Sequence, residues 1–241
     1  MVRPDETILR RALDRAYLVF AASPPPRHAD ACSHCFGEAE VRSLLATAPR
    51  DLTSDQVRAL VGSLGSTFGG QRETRWFAPR LVASMADPGV RLPSAFAGGA
   101  LRRANWPDWP RDEVDALRGV TAAVVEATLR SDADGEHVAD VLEGVARFER
   151  DLTPYLAIWA SLDERPRSMA LLRVLADLGG DFLRPGPPRT GWWQETPESF
   201  EALRAFVRNP ERLVEASAYL DDAALGRDAA DAKIYAEILS A

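Results

Sequence analysis

Apolar residues recur along this 241-residue chain at the 3.6-residue spacing of one helix face, in one segment after another. Ile8, Leu9, Ala12, Leu13, Ala16, Tyr17 and Phe20 form the first such stripe. Val57, Leu60, Val61, Leu64 and Phe68 repeat it, as do Val114, Leu117, Val120, Val124 and Val125, and Val138, Val141, Leu142, Val145 and Phe148. Met169, Leu172, Leu175, Leu178 and Phe182 follow, then Phe200, Leu203, Phe206 and Val207. A stripe of this period buries one side of a helix and no side of a strand. No stretch alternates apolar and polar residues over the length of a strand. The expectation is an all-α protein of about eleven or twelve helices, built from antiparallel hairpins in a HEAT-like or irregular α-solenoid manner. Residues 1–241 are read as one helical domain, with a sub-division near 105–110 as the alternative.

Helix starts carry their own marks. Thr53-Ser-Asp-Gln56 has the form of a capping box, in which side chain and backbone satisfy each other's unpaired groups. Thr153-Pro154, Thr196-Pro197 and Asn209-Pro210 place proline at the first helical position, where its missing N–H does no harm. Arg-Asp-Leu-Thr occurs at 50–53 and again at 150–153, a coincidence that capping alone explains. Two irregular stretches interrupt the helices, Asn105–Pro110 with two tryptophans and 183–196 with two more, and large aromatics in loops fold back onto a core.

The formal charge is 29 minus 36, or −7, without basic blocks, so the footprint that nucleic acid or anionic lipid requires is missing. Lys233 is the only lysine, a bias toward arginine rather than a phosphate-binding pattern. The first 20 residues have acidic groups and helical spacing where a secretory signal has a basic cap and an apolar run, and no membrane-length apolar run occurs, which together suggest a cytoplasmic protein. No phosphate-binding glycine loop, His-Glu-x-x-His or Gly-x-Ser-x-Gly is present.

One segment concentrates reactive side chains. Arg27–Glu40 holds both cysteines and two of the three histidines. Pro24, Pro25 and Pro26 stop the first helix, so Cys32-Ser-His-Cys35 falls in a turn ahead of a helix that begins near Gly37 or Glu38. Three readings are open. Zinc is a candidate cofactor, held by Cys32 and Cys35 with His28 or His34, the fourth ligand coming from His137, Asp30, Glu38 or a second subunit. A redox dithiol would use Cys32 and Cys35 with His34 as the neighbouring cation, and Cys35, closer to the helix start, is expected to be the more acidic thiol. The third reading is a structural turn with two small packed thiols. A Cys-x-x-Cys also occurs in helical alkyl hydroperoxidase D-type proteins, but their histidine four residues after the second cysteine is Ala39 here.

Pro24–Arg27, Cys32–Cys35, the Val41–Leu45 helix, Asp51-Leu52-Thr53 and Trp76-Phe-Ala-Pro-Arg-Leu81 together resemble a family of uncharacterised bacterial proteins. Its members join a proline-arginine stretch and a cysteine pair to a Phe-x-Pro-Arg-Leu helix. The resemblance covers about residues 20–86 and implies no assigned activity. Trp76 stands where the family has histidine, and Ala78 where it has leucine. Pro79 is expected to kink or break its helix, with Arg80 answering freed carbonyls or a carboxylate of the cysteine turn. Arg75, Trp76 and Arg80 form a candidate pocket for an anionic or peptide ligand. Few histidines and no acid pair in a loop favour a helical binding or scaffold protein with a protein or peptide partner over an enzyme. The alternative is a thiol redox or metal-binding protein using the cysteine turn.

Overall fold

The computed structural model describes residues 4–131, 137–189 and 191–240. It is 71% helical, with twelve α-helices and no β-strand among the described residues, which fixes the class as all-α. The helices are α1 (Pro4–Phe20), α2 (Glu38–Ala46), α3 (Ser54–Ser63), α4 (Gln71–Ser84), α5 (Ser94–Arg103) and α6 (Arg111–Arg130). They continue with α7 (His137–Glu149), α8 (Thr153–Ala160), α9 (Glu164–Phe182), α10 (Pro197–Val207), α11 (Pro210–Ser217) and α12 (Ala229–Ser240). The chain divides into two compact units, residues 1–124 and 125–241, and the division falls within α6.

In the first unit α4 is central, packing against α1, α3 and α5. Its Phe77, Ala78 and Val82 are wholly buried, and Leu81 nearly so. The helix runs unbroken through Pro79, itself buried. Neighbours on three sides hold a helix that the missing N–H would weaken in isolation. Trp106 and Trp109 are buried, Trp109 donating its indole N–H to the Ala104 carbonyl at 3.1 Å and meeting Phe20 edge-on.

The second unit is organised around α9, which meets α7, α10, α11 and α12. That hub differs from a solenoid, where each hairpin meets only its neighbours. Arg173 of α9 is fully buried and donates to the carbonyls of Ser131 and Ala224. Glu143 of α7 accepts backbone N–H groups of Trp192 at 2.6 Å and Trp193 at 3.1 Å, tying the tryptophan loop to the unit. Burial pushes this carboxyl up despite those bonds.

The caps are as the sequence suggests in two of four places. Thr53 and Gln56 form the full capping box, and Asn209 accepts the Arg212 N–H at 3.1 Å. Before α8 the oxygen comes from Asp151, which accepts the Thr153 N–H at 2.9 Å, so Pro154 occupies the second helical position. Thr196 makes no capping bond, and its hydroxyl is buried without a partner.

Gly179 explains how α12 approaches α9 so closely. A Cβ there would lie 2.2 Å from Cγ of Tyr235, inside the ring's own volume. Gly179→Ala is therefore expected to lower the urea unfolding midpoint by the equivalent of about 1–3 kcal/mol, the usual cost of overpacking. The same change at an open helical glycine raises stability by about 0.5–1 kcal/mol. A raised midpoint would show that the ring can move aside freely.

Candidate functional site

The cysteine turn is held by a loop far along the chain. The Cys32 N–H donates to the Thr67 carbonyl at 2.8 Å, and the Gly69 N–H donates to the Asp30 carbonyl at 2.6 Å. These bonds make Ala31 and Phe68 an isolated antiparallel bridge. Phe36 and Phe68, both buried, pack with ring centroids 5.1 Å apart. The turn itself closes when the N–H groups of Cys35 and Phe36 both donate to the Cys32 carbonyl, at 2.9 and 3.0 Å. Gly69 serves this geometry at φ +56°, and a Cβ there would lie 2.7 Å from the Glu73 side chain.

The apolar stripe Val57–Phe68 thus overruns its helix. Helix α3 ends at Ser63, and Phe68 lies beyond a turn opened by Gly65 at φ +68°. Phe36, Thr67 and Phe68 are the functional-site residues that the sequence reading missed. The available signal was glycine, at 65, 69 and 70, around an aromatic residue.

Both thiols are free and exposed. Lying on the same turn, the two thiols shift each other's proton affinity in opposite directions. The backbone N–H of His34, then the Cys35 thiol and backbone N–H, all on the same turn, draw the Cys32 thiol below its ordinary range. The Cys35 thiol is pushed up, first by its bond to Cys32 and then by desolvation and the neighbouring sulfur's charge, against a smaller opposing contribution from the Thr67 side chain. This reverses the expected order. Helix α2 starts at Glu38 behind an N-cap at Gly37, so Cys35 lies two residues before the cap, while the backbone of the turn itself favours charge on Cys32. His34 acts through its backbone, and its exposed side chain is not what lowers Cys32.

Cys32, Cys35, His28 and His34 are not gathered as a zinc site. Among the described residues no group of three or more His, Cys, Asp or Glu side chains stands so as to hold a metal ion. His28 instead lines a groove with Pro25, Pro26, Arg27, Val41, Arg42 and Leu45, and the side chain of His137 lies outside the described residues.

The proposed pocket residues part company. Arg75 and Trp76 line a cavity of about 420 Å³ with Phe20, Pro24, Arg72 and Trp109. Arg75 is committed there to Glu113, with bonds of 2.5 and 2.7 Å, and also reaches Ser23. The indole N–H of Trp76 is sealed from solvent without an acceptor, so it offers no donor to the cavity. Arg80 lines a separate depression with Tyr17 and Arg50, and it pairs with Asp87 at 2.9 Å rather than with the cysteine turn. No helix is long and apolar enough to cross a membrane among the described residues. No family model, curated protein or solved structure matches the chain.

Two measurements check this geometry. Alkylation followed residue by residue should show Cys32 reacting at lower pH than Cys35, and His34→Ala should change the Cys32 rate by less than about twofold, since an imidazole charge is not its source. A large drop in His34→Ala would restore the side chain to the site. Glu113 is nearly buried, so Arg75→Leu should destabilise by about 2–4 kcal/mol, the cost of a buried carboxylate that loses its partner.

Proposed function

We propose that the first unit carries a thiol–disulfide exchange site, with Cys32 as attacking thiol and Cys35 as resolving thiol. The observation that supports this reading is that two exposed, free thiols share one turn, closed by the Cys35 and Phe36 N–H groups on the Cys32 carbonyl, whose surroundings favour charge on Cys32 over Cys35. Exchange needs such an asymmetry, because the thiolate is the nucleophile and its partner must keep its proton until the first step is complete.

The chemistry balances with a substrate disulfide as the oxidant. The Cys32 thiolate attacks one substrate sulfur, and the S–S electron pair leaves on the other sulfur, which takes a proton from water. Cys35 then loses its proton to solvent and attacks the Cys32 sulfur of the mixed disulfide, releasing the second substrate thiol. One dithiol becomes the Cys32–Cys35 disulfide, and one substrate disulfide becomes two thiols. The reverse sequence oxidises a substrate dithiol.

A second reading, that of a helical binding protein, is supported by the Phe20–Trp76–Trp109 cavity, whose aromatic walls suit a ligand side chain. The two are compatible, since an exchange substrate is also a partner.

Reduced protein mixed with 2-hydroxyethyl disulfide should be oxidised to an intramolecular 32–35 disulfide. Cys35→Ser should accumulate the mixed disulfide on Cys32, and Cys32→Ser should form none at a comparable rate. Two thiols that stay inert toward disulfides until the protein is denatured would overturn the reading.

A further inference from the structure

A groove runs up to the cysteine turn. One wall is α2, through Val41, Leu45 and Ala46, and the other is the Pro25–Ala29 segment, enclosing about 500 Å³. Only Asp30 and Ala31 separate Ala29 from Cys32. Three peptide units span at most about 11 Å, so the Ala29 end of the groove lies no farther than that from Cys32 along the backbone.

Three properties of this groove bear on what fills it. Its floor is apolar, with Val41 and Leu45 half-buried beside Pro25 and the buried Pro26. Its backbone wall is unpaired: among the described residues the N–H groups of Arg27, His28 and Ala29 have no acceptor, while the Pro25 carbonyl takes the Arg72 guanidinium at 3.3 Å. Its charged lining is basic. Arg27 has no carboxylate partner among the described residues, and Arg42 has only Glu38, at 3.5 Å between side chains 72% and 94% exposed. A pair so exposed holds its partners weakly and exchanges them readily. Asp30 does not line the groove. In a chain of net charge −7, this is a local departure from the overall sign.

We infer that this groove docks an extended acidic polypeptide and presents its disulfide to Cys32. The inference rests on the exchange reading above and adds the class of substrate. An exposed backbone segment whose N–H groups are not used within the chain, facing apolar side chains of α2, is a surface along which an extended peptide can lie, with alternate side chains entering the groove. Arg27 and Arg42 select the sign of the flanking residues, and both lie on exposed positions where substitution leaves the fold alone. A small disulfide engages neither wall.

The test compares three disulfides against the reduced protein. Two are peptides of identical length, each joined through one cysteine to a coloured aromatic thiol, with glutamates flanking the cysteine in one and lysines in the other. The third is 2-hydroxyethyl disulfide. The acidic peptide should react about tenfold faster than the basic one at low ionic strength, within the range that charged surfaces impose on encounter rates. That preference should shrink as salt is added. In the double variant Arg27→Gln/Arg42→Gln the preference, taken as the ratio of the two peptide rates each divided by that variant's rate with 2-hydroxyethyl disulfide, should disappear. Equal rates for the two peptides, or a preference that survives the double variant, would overturn the docking inference and leave the exchange site standing. Failure of all three disulfides to react faster than with Cys32→Ser would overturn the exchange reading itself.

Discussion

Two backbone hydrogen bonds across 37 residues of sequence hold the dithiol in place. The Cys32 N–H on Thr67 and the Gly69 N–H on Asp30 turn an otherwise tethered loop into a bridged one, and Phe36 locks the bridge by packing on Phe68. Each such bond contributes about 0.5–1.5 kcal/mol net, and the aromatic pair about as much again beyond its burial. The anchor is buried, and what it carries is exposed. A turn rooted this way can keep both sulfurs open to solvent without losing the closure that the Cys35 and Phe36 N–H groups make on the Cys32 carbonyl.

The difference between the two sulfurs follows from direction. A thiol that donates to its neighbour stabilises the neighbour's thiolate and, in doing so, resists losing its own proton. The thiol–thiol interaction raises Cys35 and lowers Cys32, and the N–H groups of the turn favour charge on the same sulfur. Because both sulfurs are exposed, these shifts bear first on reactivity. A first thiol that ionises more readily than the second suits a two-step exchange.

Helix number and class were legible because burial writes itself into local periodicity. Met169, Leu172 and Leu175 read as one face, and that face is the one α9 buries. The Thr53 and Asn209 caps were legible for the same reason, since each depends on residues three positions apart. The turn's anchor was not, because nothing local to Cys32 says that residue 67 will accept its N–H. The pocket was misjudged on information the sequence contained. At about 100° per residue, Arg75 and Arg80 are about 140° apart around a helix, too far to face one cavity. They face two, and each meets its own carboxylate, Glu113 and Asp87.

The loop that a Cys32–Cys35 disulfide would close argues about purpose. Cross-linking stabilises mainly by restricting the unfolded chain, and the gain grows with the loop enclosed. Four residues give about 2 kcal/mol at most, against about 4.7 kcal/mol for a loop of a hundred. A chain that used its two cysteines as a staple would place them far apart in sequence, for instance on residues 32 and 67, which already lie side by side. Here both sit on the same turn, leaving the loop partner to Thr67 and its carbonyl. A bond closed within a four-residue turn adds little to stability, and the anchor at Phe68 lies outside the loop it closes, which sets this pair apart from a structural cross-link.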